Sequence, residues 1–223
     1  MSDAADVIEA KRALRIELRA KRAAMSDAAR RAASLSIAES VIERVGGTPA
    51  AVGGAVFCYV GVKDEVSTRP LLERWLRAGV EMWVPLLEEA VGDEGDEARS
   101  GVPSPRPSPG GRGGAMRAVR LDAMRHLQRG VMGVPTCPCG VSMGGAPAWV
   151  VLPCVGVTRD GRRLGQGGGH YDRYLASLGE AKVKTVALAF EVQVVEEVPG
   201  EAHDQRIGAV CTESGWVDCF GGV

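Results

Sequence analysis

The stretch of sequence that decides the fold is AWVVLPCVGV at residues 148–157, followed by TRDGRRLGQGGGHYDRYLASLG at residues 158–179. The first segment is the most apolar of the chain, and a short apolar run of this kind predicts a buried central strand. The second segment turns at Asp160-Gly161, passes through a glycine-rich loop and continues into a short helix that Gly179 ends. TVALAF at residues 185–190 then predicts another strand.

The same alternation of strand and helix precedes this stretch. VGGAVFCYV at residues 52–60 and VEMWVPLL at residues 80–87 predict two buried strands, and the helix between them ends at Gly79. IGAVCT at residues 207–212 predicts the last strand. Strands separated by helices are typical of an α/β fold with parallel strand pairing.

The first 45 residues predict two helices. Leu14 and Leu18 lie on the apolar face of the first helix, and basic side chains crowd the rest of it. Ser26 offers an N-cap for the second helix, which ends at Gly46.

A low-complexity segment interrupts the alternation at about residues 88–114. It is acidic at first, then rich in Pro, Ser, Gly and Arg, and it has almost no large apolar residue to offset the entropy of being ordered. We predict a disordered surface loop inserted within a single domain that spans residues 1–223. An Arg/Gly RNA-binding tail and a Pro-rich docking peptide are the alternatives. Beyond the segment, residues 116–130 predict a short strand and a helical turn.

Composition and charge are those of a soluble globular protein. The 223 residues include 27 Lys and Arg against 28 Asp and Glu, which gives a formal net charge of −1. A near-neutral balance argues against a protein dedicated to nucleic acids or membrane surfaces. No apolar run approaches the roughly 20 residues that a membrane span needs, and the N-terminus has no apolar signal-peptide core. We therefore expect a cytoplasmic protein.

The cysteines and histidines do not form a recognisable metal motif. Only two of the six cysteines are close in sequence, and their CPC spacing is not that of a zinc site. We interpret the cysteines as buried or inert thiols; they are Cys58, Cys137, Cys139, Cys154, Cys211 and Cys219.

Candidate chemistry is concentrated in the glycine-rich segment RRLGQGGGHYD at residues 162–172. Glycines let backbone N–H groups approach an anion, and the helix that follows adds its positive N-terminal end. Arg162 and Arg163 can add charge-assisted contacts to phosphate. The ending of a Walker A loop is missing. We interpret the segment as a nucleotide or phosphate cradle, with a plain flexible turn as the alternative.

Three carboxylates could act at the same site. Asp172, in the first turn after the loop, and Asp204, after a strand, could hold Mg²⁺. Taken singly, each is more typical of a structural carboxylate, a helix cap for Asp172 and a turn carboxylate for Asp204. Glu65 follows the end of an inner strand, where α/β sheets place ligands. The alternative for Glu65 is a solvated loop acid.

Several motifs, taken in order, resemble the 5-formyltetrahydrofolate cyclo-ligase (5,10-methenyltetrahydrofolate synthetase) family. The resemblance covers everything except the 88–114 insertion and the extreme ends, and its most specific part is RLGQGGGHYDR at residues 163–173. The other matching motifs are KRALR at 11–15, DEVST at 64–68, Val84-Pro85, ALAF at 187–190, Gln193, Val198-Pro199 and His203-Asp204.

The resemblance implies an ATP- and Mg²⁺-dependent ring closure of 5-formyltetrahydrofolate to 5,10-methenyltetrahydrofolate. ATP would phosphorylate the formyl oxygen, and the N10 amine would then displace phosphate. It also implies a single three-layer, Rossmann-like α/β domain with a mixed, largely parallel sheet. The expected partners are 5-formyltetrahydrofolate and ATP, with no nucleic acid, no membrane and a monomeric protein.

The resemblance also implies roles for particular residues. Arg163 and Tyr171 would be catalytic, and Asp172 and Asp204 would hold Mg²⁺. The residues implied for ATP are Lys11, Arg12, Ala13, Leu14, Arg15, Arg163, Leu164, Gly165, Gln166, Gly167, Gly168, Gly169, His170 and Tyr171. Those implied for the folate are Val60, Glu65, Gln166, Gly167, Gly168, Gly169 and His170.

Two positions depart from the family pattern. His170 stands where the family usually has Tyr, which reduces stacking area and introduces a group that titrates near neutral pH. The GVPTCP segment at residues 133–138 lacks the Glu that the family usually has before its Pro, and we assign it no role. Because of His170, an alternative hypothesis is a non-catalytic member of the family that binds folate or nucleotide without closing the ring.

Overall fold

A computed structural model of the protein describes residues 3–88, 115–200 and 204–219. Within these ranges the helices are α1 (Asp3–Ala23), α2 (Asp27–Val45), α3 (Pro49–Val52), α4 (Arg69–Arg77) and α5 (His170–Ser177). Short 3₁₀ turns lie at Met124–His126, Val131–Gly133 and Glu191–Gln193. The strands are β1 (Val56–Cys58), β2 (Met82–Leu87), β3 (Met116–Leu121), β4 (Gln128–Arg129), β5 (Pro135–Thr136), β6 (Trp149–Pro153), β7 (Gly156–Val157), β8 (Arg163–Leu164), β9 (Lys184–Leu188), β10 (Ala209–Thr212) and β11 (Gly215–Asp218).

Seven of the strands form one mixed sheet in the order β11-β10-β9-β6-β1-β2-β3. The five inner strands are parallel, and the edge strands β3 and β11 are antiparallel to their neighbours. In the register of the inner strands, Val56 of β1 lies opposite Met82 of β2 and Trp149 of β6. The strand predicted at residues 148–157 is therefore central, as expected, but it covers only Trp149–Pro153. Gly156–Val157 form β7, which pairs with β8 in a separate two-stranded sheet.

Helices cover both faces of the sheet. Val56 and Val151 point to the face covered by α2 and α4, where Trp75 of α4 is fully buried. Phe57 points to the other face, where it packs on Tyr174 of α5 with ring centroids 4.6 Å apart. Successive strand residues face opposite layers, so both layers bury apolar area. The predicted three-layer α/β domain is confirmed.

The predicted N-terminal helices are also confirmed. Ser26 caps α2 by accepting a hydrogen bond from the backbone N–H of Ala29 at 3.1 Å, and Gly46 ends the helix with a φ of 105°. The strand and helical turn predicted at residues 116–130 correspond to β3 and the first 3₁₀ turn.

Two further strand predictions need correction. The strand expected at residues 52–60 covers only Val56–Cys58, because Thr48 and Pro49 begin the short helix α3, which Gly53 ends in the left-handed conformation. IGAVCT was expected to hold the last strand, but β11 follows it and pairs with β10 as a hairpin. β11 lies half-exposed at the sheet edge, so it has no continuous apolar run to reveal it.

Parts of two predictions lie outside the described residues. The insertion at residues 88–114 is described only at Glu88, whose backbone N–H donates to the carbonyl oxygen of Ala115 at 2.9 Å. His203 is outside as well. None of the helices described is both long enough and apolar enough to cross a membrane.

The connections create a crevice at the carboxyl edge of the sheet. The chain leaves β1 toward β2 on one side, and leaves β6 toward β9 on the other. β1 and β6 are neighbours, so the loops after them diverge, as at the ligand-binding switch point of open α/β sheets. The loops that carry the predicted site residues follow β1 and β6.

Gln193 holds the end of β6 in place. Its buried side-chain amide donates to the carbonyl oxygens of Cys154 and Val155 at 2.9 and 3.0 Å, and accepts from the backbone N–H of Phe190 at 3.0 Å. A side chain of similar size without polar atoms would leave these three backbone groups unpaired in the core.

We expect Gln193→Met to lower the free energy of unfolding by about 2–4 kcal/mol, the cost of several unpaired buried polar groups. Urea unfolding followed by circular dichroism measures this. Gln128→Met, at an exposed position of β4, is the matched control and should leave stability within about 0.5 kcal/mol. Equal stability of the two variants would contradict this role for Gln193.

Candidate active site

A cavity of about 210 Å³ opens at the carboxyl edge of the sheet, between the loops that follow β1 and β6. Nearly all of the residues predicted for the site line it: Lys11, Arg15, Val60, Glu65, each residue from Arg163 to Asp172, and Asp204. These residues come from four separate segments of the sequence, and the fold brings them together.

Helix α1 supplies cations to this cavity because it packs across the loop region. Leu18 is fully buried against Gly156 and Leu164, and a Cβ on Gly156 would lie 2.4 Å from Leu18 Cδ1. Gly156 therefore permits the close approach of α1 to the two-stranded sheet formed by β7 and β8. With α1 in this position, Lys11 and Arg15, one turn apart, face the cavity.

The three residues between Lys11 and Arg15 have other surroundings. Arg12 is exposed and lies 3.7 Å from Glu9. Ala13 is exposed too, and Leu14 packs beside the buried Leu18. None of the three lines the cavity, so their predicted contact with ATP stays a prediction without a geometric basis here.

Two cations of the site are buried in ion pairs with the two predicted metal ligands. Lys11 Nζ lies 2.7 Å from Asp204 Oδ2, and Arg163 Nη2 lies 2.7 Å from Asp172 Oδ1. The Arg163 side chain is only 2% exposed and also donates to the carbonyl oxygen of Pro153 at 3.2 Å. These bonds hold both cations in place at the cavity wall.

The glycine loop has the backbone conformation that its sequence predicts. Gly167 and Gly169 adopt φ values of 103° and 62°, which favour glycine strongly over other residues. Arg15 Nε donates to the carbonyl oxygen of Gly165 at 2.9 Å and ties the loop to α1. Gly169 then begins α5, so the positive end of this helix faces the cavity beside the cations.

Glu65 enters the cavity from the loop after β1. Its Oε2 accepts from the backbone N–H of Val62 at 3.2 Å, and its Oε1 accepts from Gln166 Nε2 at 3.1 Å. Burial raises the pKa of the Glu65 carboxyl above its ordinary value. Such a carboxyl is well placed to accept hydrogen bonds from a ligand that displaces the surrounding water.

An ion pair with α1 fixes the loop that carries Glu65. The Arg22 guanidinium, in a side chain 5% exposed, donates to both oxygens of Asp64 at 2.9 and 3.2 Å. Partial burial opposes ionisation of Asp64, but Arg22 outweighs it and lowers the pKa of this carboxyl. Lys63, beside it, has a positive φ of 52°.

Tyr171 forms part of the cavity wall. Its ring centroid is 6.3 Å from that of Phe57 and 5.8 Å from the Arg163 guanidinium carbon. Burial raises the pKa of its phenol well above the ordinary value, so Tyr171 presents a neutral hydroxyl. His170 Nδ1, at the mouth, is 3.4 Å from Arg173 Nη2.

The donor set fits a magnesium ion that arrives with phosphate oxygens better than a resident one. The described part of the chain contains no group of three or more His, Cys, Asp or Glu side chains placed to hold a metal. Mg²⁺ in nucleotide sites is commonly held by one or two carboxylates together with phosphates and water. Asp172 and Asp204 could supply these carboxylates.

Sequence reasoning missed two kinds of residue at this site. An apolar wall is formed by Pro85, Leu87, Met116 and Val134, of which Pro85 and Val134 had been noted only as parts of motifs and none had been given a role at the site. Arg19 and Arg22 lie one and two turns beyond Arg15, and a period of three to four residues from Lys11 could have indicated them.

Comparisons of this chain with a family model and with curated proteins all point to one family. The model of the 5-formyltetrahydrofolate cyclo-ligase family matches residues 7–213. This chain belongs to that family. A 5-formyltetrahydrofolate cyclo-ligase of Escherichia coli is 26% identical over 170 residues, which cover 74% of this chain and 81% of that protein. The mouse enzyme of the same name is 40% identical over 67 residues, covering 29% of this chain and 33% of that protein.

Solved structures support the fold. The NMR structure of the Aquifex aeolicus 5,10-methenyltetrahydrofolate synthetase superposes with a TM-score of 0.69 at 24% identity, covering 96% of this chain and 94% of that one. The Mycoplasma pneumoniae synthetase gives a TM-score of 0.64 at 16% identity, covering 91% and 98%. The family assignment confirms the prediction of an enzyme of the ligase class.

Glu65 should make the stability of the protein depend on pH. Its pKa is raised by folding, so its contribution to stability is present at low pH and is lost as pH rises through the folded-state value. Glu65→Gln removes this loss. We therefore expect the free energy of unfolding of the variant, relative to wild type, to increase from about pH 4 to about pH 7.

Urea unfolding at a series of pH values measures this difference. Glu39→Gln, which removes an exposed carboxylate of α2, is the control and should follow wild type. A relative stability of Glu65→Gln that is flat or decreasing with pH would show that burial does not penalise the Glu65 charge.

Proposed function

We propose that the protein catalyses the ATP- and Mg²⁺-dependent cyclisation of 5-formyltetrahydrofolate to 5,10-methenyltetrahydrofolate, with release of ADP and phosphate. The observation that carries this proposal is that one cavity joins a cationic glycine loop, suited to a triphosphate, with the half-buried carboxyl of Glu65, suited to a heterocycle. The names of the relatives fit this substrate and product.

The reaction proceeds in two steps, phosphoryl transfer to the formyl oxygen and then ring closure by N10. The formyl oxygen attacks the γ-phosphorus of ATP, the bond to ADP breaks, and the N5 lone pair stabilises the resulting iminium phosphate. N10 then attacks the formyl carbon, the carbon–oxygen bond breaks, and phosphate leaves with the former formyl oxygen. N10 loses its proton, and the product carries its positive charge across N5, carbon and N10.

Charge neutralisation and positioning are what such a phosphoryl transfer requires from the protein. Lys11, Arg15 and Arg163 lie where they can contact the phosphates, together with the backbone N–H groups of the glycine loop. Arg163, fixed by Asp172 and Pro153, needs little reorganisation as negative charge moves onto the leaving ADP. A bound Mg²⁺, held by Asp172 and Asp204, would neutralise further phosphate charge.

The folate would occupy the other half of the cavity. Glu65 accepts hydrogen bonds from the pterin N–H groups, and the neutral Tyr171 and the apolar wall around Met116 exclude water from the reacting carbon. Excluding water protects the iminium phosphate from hydrolysis back to formyl folate. Val60 and His170 complete the contacts that we propose for the folate.

The direct test mixes purified protein with 5-formyltetrahydrofolate, ATP and Mg²⁺, and follows the near-ultraviolet absorbance of the methenyl product. The proposal predicts a rise that requires all three. A protein that binds folate and ATP but consumes no ATP would instead be a non-catalytic, binding member of the family. This is the second candidate function, and His170 is the observation that favours it. That the protein works as a cytoplasmic monomer stays a prediction from its sequence.

Arg15 and Arg12 provide a matched pair for the ATP subsite. Both were predicted to contact ATP, but only Arg15 lines the cavity. We expect Arg15→Gln to lower kcat/KM for ATP by roughly tenfold to a hundredfold, because a charge-assisted contact to phosphate is lost. Arg12→Gln should stay within about twofold of wild type, as expected for an exposed side chain.

Steady-state kinetics with varied ATP measures both variants, and thermal unfolding confirms that each is folded. Equal losses in the two variants would contradict the placement of α1. Full activity of Arg15→Gln would contradict the role proposed for that side chain.

A further inference from the structure

A hydrogen-bonded chain connects an arginine outside the cavity with the carboxyl inside it. Arg19 is exposed on α1 and does not line the cavity. Its Nη2 donates to Gln166 Oε1 at 2.6 Å, and Gln166 Nε2 donates to Glu65 Oε1 at 3.1 Å. A carboxamide carries its acceptor and its donors on opposite sides, so the bond from Arg19 determines which side faces Glu65.

We propose that Arg19 is a positioning residue for the folate subsite, which acts by orienting the Gln166 amide so that it donates to Glu65. This inference rests on the proposed function, in which Glu65 receives the pterin. Arg19 does not line the cavity in which both substrates would bind.

The groups around Glu65 show why this donor matters. Those that face it from the neighbouring elements are Arg22 of α1, Asp64 of its own loop, Tyr59 after β1, Cys154 after β6 and Tyr171 of α5. Arg22 is engaged by Asp64, and the two tyrosines are kept neutral by burial. Against the effect of burial, the hydrogen bond from the Val62 backbone, the charge of Arg22 and the hydrogen bond from Gln166 favour the ionised carboxylate, and Gln166 is the side chain that donates to it directly.

Loss of Arg19 would free the Gln166 amide to rotate. Its oxygen could then face Glu65 Oε1, which would place two acceptors together and disfavour the carboxylate. A protonated Glu65 accepts fewer hydrogen bonds. Folate affinity should therefore fall, and its decline with decreasing pH should begin at a higher pH than in wild type.

The first experiment follows Glu65 itself in the unliganded protein, by carbon-13 NMR titration of its side-chain carboxyl. The variants are Arg19→Met, Gln166→Met, their double mutant, Arg19→Lys, and Arg12→Met as the matched exposed control. We expect the Glu65 titration to move to higher pH in both single variants and no further in the double mutant, because both interrupt one chain. Arg19→Lys, which keeps a donor, should restore most of the wild-type titration.

The second experiment measures affinity for 5-formyltetrahydrofolate by isothermal titration calorimetry without ATP. We expect Arg19→Met to bind about threefold to tenfold more weakly near neutral pH, the scale of a charge-assisted hydrogen bond at a partly exposed position. The carboxyl groups of the ligand titrate in the same way whichever variant is used. Differences in the pH dependence of affinity between variants therefore come from the protein.

The outcomes separate this inference from the proposed function. A Glu65 titration in Arg19→Met that matches Arg12→Met overturns the positioning role, even where turnover and folate binding are normal. Additive shifts in the double mutant overturn it as well, because Arg19 and Gln166 would then act independently. A wild-type protein that binds no 5-formyltetrahydrofolate would overturn the proposed function instead.

Discussion

The contact of Leu18 with Gly156 is the constraint on which the site depends. Leu18 is fully buried, and burial of a leucine contributes about 1.5–3 kcal/mol. Because Gly156 has no Cβ, α1 lies close enough to β7 and β8 for its basic side chains to reach the glycine loop. Arg15 and Arg19 then bind the loop itself, and Arg22 binds the loop of Glu65. One helix thus organises both halves of the cavity.

The charges of the cavity are paired before any ligand is present. Lys11 and Arg163, both buried, are each held by a carboxylate that could also accept a metal. Unpaired buried cations would be costly, so these ion pairs let the cavity keep positive charge where a triphosphate would lie. Preorganised charge of this kind lowers the reorganisation needed during phosphoryl transfer. The same carboxylates thus serve the fold and, in the proposed reaction, the metal.

The sequence predicted the layers of the fold and most of the lining of the cavity, because both are encoded locally. Apolar runs identify inner strands, and the glycines of the loop identify positions that need a positive φ. The edge strand β11 was not predicted because its half-exposed residues form no such apolar run. A linear motif does not distinguish the faces of a helix, so the sequence could not show that Arg15 lines the cavity and Arg12 does not. The hydrogen bonds from Arg19 to Gln166 and from Gln166 to Glu65 join residues far apart in sequence, so only the folded structure shows them.

The most direct test of this account follows the oxygen of the formyl group. 5-Formyltetrahydrofolate labelled with oxygen-18 at the formyl oxygen is converted by the protein with ATP and Mg²⁺, and the inorganic phosphate is analysed by mass spectrometry. Attack of that oxygen on the γ-phosphorus predicts one labelled oxygen in each phosphate released. Unlabelled phosphate, with the label recovered in water, would contradict phosphorylation of the formyl oxygen in this cavity.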